Sequence, residues 1–309
     1  MIQTLYNYVL KQKSKNKKNW SILYKICKVV LNLFYPILVW GRKKPGTDAD
    51  GKIIVSLTSF PDRIGDVWIS ISTIMNQTLK PARIVLWLSE EQFPDPGKLP
   101  ESLKRLQKRG LEIKYCEDLM PHKKYFYTMQ ENPDQVVVTI DDDIFYPEDH
   151  LEKLWAVHQQ YPRAVCCWYG HVISYREDGS IEAYNSWISD VSGYRTPSLQ
   201  LVPVGCGGVL YPPGVLPGQL FCTEDIKTLC LKTDDLWLKA MEVLGDVRAV
   251  RCVEDSMIFY GLIKTRHKGL FAENADRDGN DVALRAILGK YPQVEKRLYE
   301  DYKNRSAEE

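Results

Sequence analysis

The sequence is poor in the arrangements that build metal fingers and disulfide scaffolds. Its eight cysteines include no CxxC pair, and none of its five histidines stands at zinc-ligand spacing from them. Several cysteines lie inside apolar runs, as in AVCCWYG and TLCLKT, which suits free buried thiols in a reducing compartment rather than disulfides. No repeat or low-complexity tract is present, and the composition is that of an ordinary globular protein. The first ten residues hold no Lys or Arg, and no small-x-small site follows the first apolar stretch, so a cleavable secretory signal of ordinary form is not expected. Acidic residues are missing altogether from residues 1–44.

Those same residues contain ten Lys and Arg, from Lys11 to Lys44. The formal net charge of the whole chain is +1, so the remainder carries nine net negative charges. Two different jobs are implied. Between the basic clusters lies ILYKICKVVLNLFYPILVWG, whose uninterrupted apolar part runs only from Val29 to Trp40 and contains Asn32 and Pro36. A spanning helix needs roughly 20 apolar residues, so a helix lying in a membrane interface fits better, with its lysines toward anionic lipid. The alternative is a helix packed on the protein's own core. Residues 1–44 are thus expected to be a basic, amphipathic, membrane-associating arm, 45–51 a linker marked by Pro45, Gly46 and Gly51, and 52–309 one large α/β domain.

From residue 52 onward, short apolar strands alternate with helical spacers. IIVSL, ARIVLWLS, LEIKYCE and QVVVTI read as strands; DVWISISTIMNQTLKP, LPESLKRLQKRG and KKYFYTMQEN read as helices. That alternation predicts a mostly parallel sheet with helices on both faces. Ligands of such sheets sit at the carboxyl ends of the strands, which here are Thr58–Arg63, Ser89–Glu90, Cys116–Asp118 and Asp141–Asp143.

The last of these ends, in VVVTIDDDIFYP, places three like charges side by side. Hard carboxylate oxygens suit Mg²⁺ or Mn²⁺, which relieve their repulsion and can clamp a diphosphate. In a strand alternate side chains point the same way, so Asp141 and Asp143 are expected to share a face while Asp142 turns away. The competing reading is an acidic loop that caps the helix beginning near PEDHLEKLWAVHQQY.

With these landmarks in order (SLTSFPDRI, VLWLS, HKKYFYT, TIDDDIFYP, GCGGVLYPP, TDDLWLK), the sequence resembles the GT-A glycosyltransferases, and among them bacterial polysaccharide-biosynthesis enzymes with a DxD motif. The likeness spans about residues 52–290. It implies a single GT-A, Rossmann-like domain and transfer of a sugar from a nucleoside-diphosphate sugar, UDP-sugar first, with Mn²⁺ or Mg²⁺. On the donor side it nominates Thr58, Ser59, Phe60 and Arg63, Asp118 (with Glu117 as competitor) for the base, Lys123 or Lys124 for a phosphate, and Asp141 and Asp142. Asp141 and Asp143 are the implied metal carboxylates, with His267 as a late ligand.

On the acceptor side the resemblance places the loop of Gly205, Gly207 and Gly208, although a tight structural turn would need the same residues. It puts an acid at the start of the helix TDDLWLKAMEVLG, Asp235 ahead of Asp234. In an inverting enzyme that acid is the general base; in a retaining one it positions substrate or stabilises developing positive charge. Thr233 or Asp234 could instead cap that helix, and Asn280 or Asp281 the last one. The expected acceptor is a saccharide or lipid-linked saccharide, and the expected location is the cytoplasmic side of the plasma membrane, peripherally bound. A metal-dependent phosphohydrolase and a catalytically silent sugar- or nucleotide-sugar-binding protein are the competing readings. A nucleotidyltransferase would want a Gly-rich phosphate loop where SLTSFPDRI stands. An acidic core, and a basic arm without a reading motif, argue against nucleic acid.

Overall fold

The computed structural model describes residues 1–15, 19–189, 194–253, 259–264 and 278–306. Four strands of aliphatic residues form one half of its main sheet: β1 (Ile53–Thr58), β2 (Arg83–Ser89), β3 (Leu111–Cys116) and β4 (Val136–Thr139). They lie side by side in the order β3-β2-β1-β4, all parallel. Parallel partners need long crossovers, supplied by α3 (Val67–Ile74), α4 (Glu101–Gln107) and α5 (Lys123–Glu131).

Beyond β4 the sheet continues through β10 (Val209–Tyr211), β6 (Val165–Cys167) and β11 (Ala249–Arg251). Of the seven strands only β10 runs antiparallel to its neighbours. Its reversed direction delivers the Gly205–Gly207 turn, which precedes it, to the same sheet edge as the carboxyl end of β4. A two-stranded ribbon of β5 (Ile144–Phe145) and β12 (Tyr260–Gly261) follows the three aspartates directly. All eight cysteines are free, and six are buried.

The N-terminal residues form two helices, α1 (Ile2–Ser14) and α2 (Trp20–Trp40). Both join the main core: Ile2, Tyr6 and Val9 of α1, and Cys27, Leu31, Tyr35 and Val39 of α2, are buried within it. The i, i+4 spacing of the α2 set makes a single inward stripe. Tyr35 meets Phe145 edge-on at 5.6 Å, and Tyr24 stacks on Tyr260 at 5.4 Å.

Two buried histidines brace the elements that carry the site. His122, just before α5, bridges the Tyr125 hydroxyl and the Cys230 carbonyl, each at 2.9 Å. His150 opens α6 (His150–Gln160) and stacks on Trp168 at 4.7 Å. Burial depresses both from 6.5, to about 4 and about 3 respectively. A depressed imidazole stays neutral in the fold but takes up a proton when the chain unfolds. The stability it contributes is therefore present above the unfolded value and lost as pH falls toward the folded one, at up to roughly 1.4 kcal/mol per pH unit for each. Denaturant melts should show stability falling steadily between pH 6.5 and pH 4; a flat profile there would contradict neutral burial.

Candidate functional site

The site begins with a cation in the wrong place for a core. Lys124, in the first turn of α5, is almost fully buried and lies among carboxylates. Its Nζ is 3.0 Å from Oδ1 of Asp141 and 2.9 Å from Oδ2 of Asp234. Asp141 follows β4, and Asp234 opens α8 (Asp234–Leu244). One ammonium thus joins two stretches separated by more than ninety residues in sequence. Burial alone would lower the Lys124 pKa, but Asp141 and Asp234 raise it well above the ordinary lysine value, so the charge is kept.

Asp235 sits beside this pair and behaves differently. Its Oδ1 accepts the Gly205 backbone N–H at 3.0 Å. Burial first, and then the charge of Asp234, pushes its carboxyl well above the usual range. Against the same burial, Lys124 holds Asp234 below that range. Adjacent acids with opposite displacement have separate roles available to them: Asp234 stays an anion paired to Lys124, while Asp235 is poised to take a proton. Thr233 stands at the N-cap of α8 without making a side-chain capping bond. Neither acid is explained by capping alone.

The three consecutive aspartates divide in a way that strand alternation does not give. β4 ends at Thr139, and Asp142 and Asp143 lie in a turn, so alternation does not extend to them. Arg63 reaches both, at 2.7 Å to Asp142 and 3.1 Å to Asp143, while Asp141 turns to Lys124. Asp142 is buried: Ser59 donates to it at 2.6 Å, and its backbone carbonyl accepts from Ser70 at 3.0 Å. It anchors the turn to β1 and α3. The side chains of Asp141 and Asp143 stay more open, 31% and 21% exposed against 7% for Asp142. None of the three caps α6, whose N-cap is Asp149.

The remaining sequence candidates are distributed around this centre. The Thr58 hydroxyl is committed to the Trp87 carbonyl at 2.8 Å. Phe60 lies under the Arg63 guanidinium, 5.4 Å from the ring centre. Asp118, past the end of β3, is held by Lys123, by the Met120 N–H at 2.9 Å and by Gln92 at 2.8 Å. The two lysines expected near a phosphate therefore part company: Lys123 belongs to the β3 end and Lys124 to the acidic centre. Glu117 pairs with Lys227 instead. Asp281 accepts from the Tyr184 N–H at 2.9 Å, and the N-cap of its helix is Asp278. His267 lies outside the described residues.

Two contributors gave no signal in the sequence. The Tyr146 hydroxyl accepts the Asp141 N–H at 2.9 Å and reaches the Cys206 carbonyl at 3.4 Å, tying the aspartate turn to the glycine turn. Ser70, inside an apolar helix, holds the Asp142 backbone. A tyrosine five residues after an aspartate and a serine in α3 are ordinary on their own, and only the fold makes them neighbours.

The glycines also separate by role. A Cβ at Gly205 would lie 2.5 Å from Lys124 Nζ, 3.3 Å from Asp235 and 3.4 Å from Asp141. Gly205 is thus the floor of the acidic centre. Gly208, at φ +76°, is pressed against the His150 ring, and Gly207 against Tyr169, so these two serve the turn.

Two partly open carboxylates, Asp141 and Asp143, are a hard-oxygen donor set. Mg²⁺ and its like are commonly held by one or two such groups plus substrate phosphates, so these residues fit a divalent ion. No group of three His, Cys, Asp or Glu arranged for a metal occurs among the described residues.

Comparison with known proteins places the architecture. No family model matches the sequence, and no curated protein matches it. Among solved structures, the chain is similar to a mannosyltransferase, PcManGT from Pyrobaculum calidifontis, in complex with GDP-Man and Mn²⁺. That similarity has 13% identity and a TM-score of 0.51, over 90% of this chain and 80% of the other. A CMP:2-keto-3-deoxy-manno-octonic acid synthetase complexed with CTP is matched over 65% of this chain and 88% of its own, at 8% identity and a TM-score of 0.37, too low to bear on the fold.

Gly205→Ala would place a Cβ 2.5 Å from Lys124 Nζ and should push Lys124 off Asp141 and Asp234, at a cost of about 3–5 kcal/mol of stability. Gly208→Ala forces a positive φ and a clash with a buried ring, and should cost about 1–3 kcal/mol of stability. Thermal melts of the two variants check this; equal stability losses would remove the distinction. The chain has a GT-A-like Rossmann fold: a mostly parallel central sheet flanked by helices, with N-terminal helices added.

Proposed function

We propose that the protein is a glycosyltransferase that moves a sugar from a nucleoside-diphosphate sugar to a hydroxyl of a saccharide or lipid-linked saccharide. The observation that carries this reading is the Lys124 centre, which joins the aspartate turn after β4 to the acids at the start of α8 within a GT-A-like fold. The similar mannosyltransferase, which holds GDP-Man and Mn²⁺, supports a nucleotide sugar and a divalent ion as ligands. UDP-sugars are the first donor class in this reading, as the resemblance to GT-A enzymes implies.

In this reading Asp141 and Asp143 hold the ion, which when bound neutralises charge developing on the diphosphate. Arg63 fixes the turn that bears Asp143, and Ser59 and Asp142 keep that turn against β1. The phosphate side is assigned to Lys124 and the base side to Asp118 with the β1 loop. The acceptor hydroxyl lies against Gly205, where the Asp235 carboxylate takes its proton as the oxygen bonds to the anomeric carbon. The bond from that carbon to the diphosphate breaks, and the nucleoside diphosphate leaves with the electron pair. Asp235 must be ionised to act. Its raised pKa therefore gives activity that rises with pH through that pKa.

The test is a thermal-shift screen of UDP-, GDP- and TDP-sugars with Mn²⁺, since bound donor stabilises the fold by mass action. At least one donor should raise the melting temperature, and Asp143→Ala should abolish the rise. Asp235→Asn should keep donor binding and lose transfer by at least about a hundredfold. No shift with any donor, or full transfer by Asp235→Asn, would contradict the reading.

A further inference from the structure

The second helix has two apolar faces, and the core uses only one. Cys27, Leu31, Tyr35 and Val39 point inward. At about 100° per residue the opposite side is lined by Ile22, Ile26, Val29, Leu33, Ile37 and Trp40, with Phe34 and Leu38 beside them. These eight side chains are between 45% and 72% exposed. A contiguous apolar stripe this long on a soluble surface marks a binding face.

The charge around the stripe selects the partner. Lys11, Lys15 and Lys25 precede or flank it, Arg42, Lys43 and Lys44 follow it, all exposed, and residues 1–44 contain no acid. We propose that the outward face of α2 docks on the surface of an anionic lipid bilayer, apolar side chains in the acyl boundary and lysines among the headgroups. The helix lies in the surface and does not cross it. With 21 residues it is long and apolar enough to span, but spanning would strip Cys27, Leu31, Tyr35 and Val39 from the core.

Docking of this helix reaches the candidate site by a short route. Asn32 donates to the Gly261 carbonyl at 3.3 Å and accepts the Ile263 N–H at 2.9 Å, holding β12. β12 pairs with β5, and Leu262 donates to the Asp143 carbonyl at 2.7 Å. The aspartate turn is therefore fixed to the docking helix through the Asn32 side chain and the backbone hydrogen bonds of β12, and the bilayer would hold the site at a set distance from membrane-borne acceptors.

The experiment is co-sedimentation of the full chain with vesicles of equal parts phosphatidylcholine and phosphatidylglycerol, and with phosphatidylcholine alone, without donor or metal. Wild type should pellet with the anionic vesicles and less with the neutral ones. Leu33→Glu with Ile37→Glu changes only exposed positions and should lower the partition coefficient at least about tenfold. Lys43→Glu with Lys44→Glu should reduce the preference for anionic lipid. Failure of wild type to pellet, or an unchanged coefficient in the Leu33/Ile37 variant, would overturn the proposal. So would a wild-type dimer that the same variant turns into a monomer while vesicles recover neither, because the face would then join two copies of the chain. None of these readouts depends on sugar transfer.

Discussion

Everything in the centre of this molecule depends on one buried ammonium. Lys124 lies between Asp141 and Asp234, with Asp235 next to it, in a region that excludes most water. Without it, three carboxylates would face one another in a medium where like charges repel far more strongly than in solution. Removing one partner of a buried pair typically costs about 3–5 kcal/mol, because the charge left behind has nothing to offset it. The fold therefore cannot lose Lys124 cheaply, and the acids cannot drift apart while it is present.

The main chain is arranged to bring that cation and those acids together. Parallel β1 and β4 end at one edge of the sheet, which places Ser59, Arg63 and the aspartate turn side by side. The reversed β10 brings Gly205 to the same edge, where any side chain would collide with Lys124. Arg63 then clamps Asp142 and Asp143 as Lys124 clamps Asp141 and Asp234. Two cations thus organise four acids directly, with Asp235 beside them, and the more open Asp141 and Asp143 together with Asp235 are the ones the proposed metal ion and acceptor hydroxyl would need.

Much of this was legible in the sequence, for identifiable reasons. Aliphatic strands with helical spacers specify a parallel sheet locally, and β1 to β4 lie where the pattern put them. Strand ends in such sheets are ligand positions, so the aspartates and the β1 loop stood out. What could not be read was which residues meet. Alternation paired Asp141 with Asp143, but β4 stops at Thr139 and a turn follows, and the position of Arg63 then decides the grouping. Lys123 and Lys124 are equivalent in sequence; a rotation of about 100° along α5 sends one to Asp118 and the other to Asp141. Tyr146 and Ser70 carry no pattern at all. The N-terminal helices showed their basic, apolar character in sequence, whereas the split of α2 into an inward and an outward face depends on what packs against it.

The most direct test of the central claim is a double-mutant cycle in denaturant stability on Lys124→Met and Asp234→Asn. If the ammonium holds the two stretches together, the single variants should each lose stability, and the double variant should be less damaged than their sum by at least about 1.5 kcal/mol. Additive losses, with no coupling between the two positions, would contradict the account.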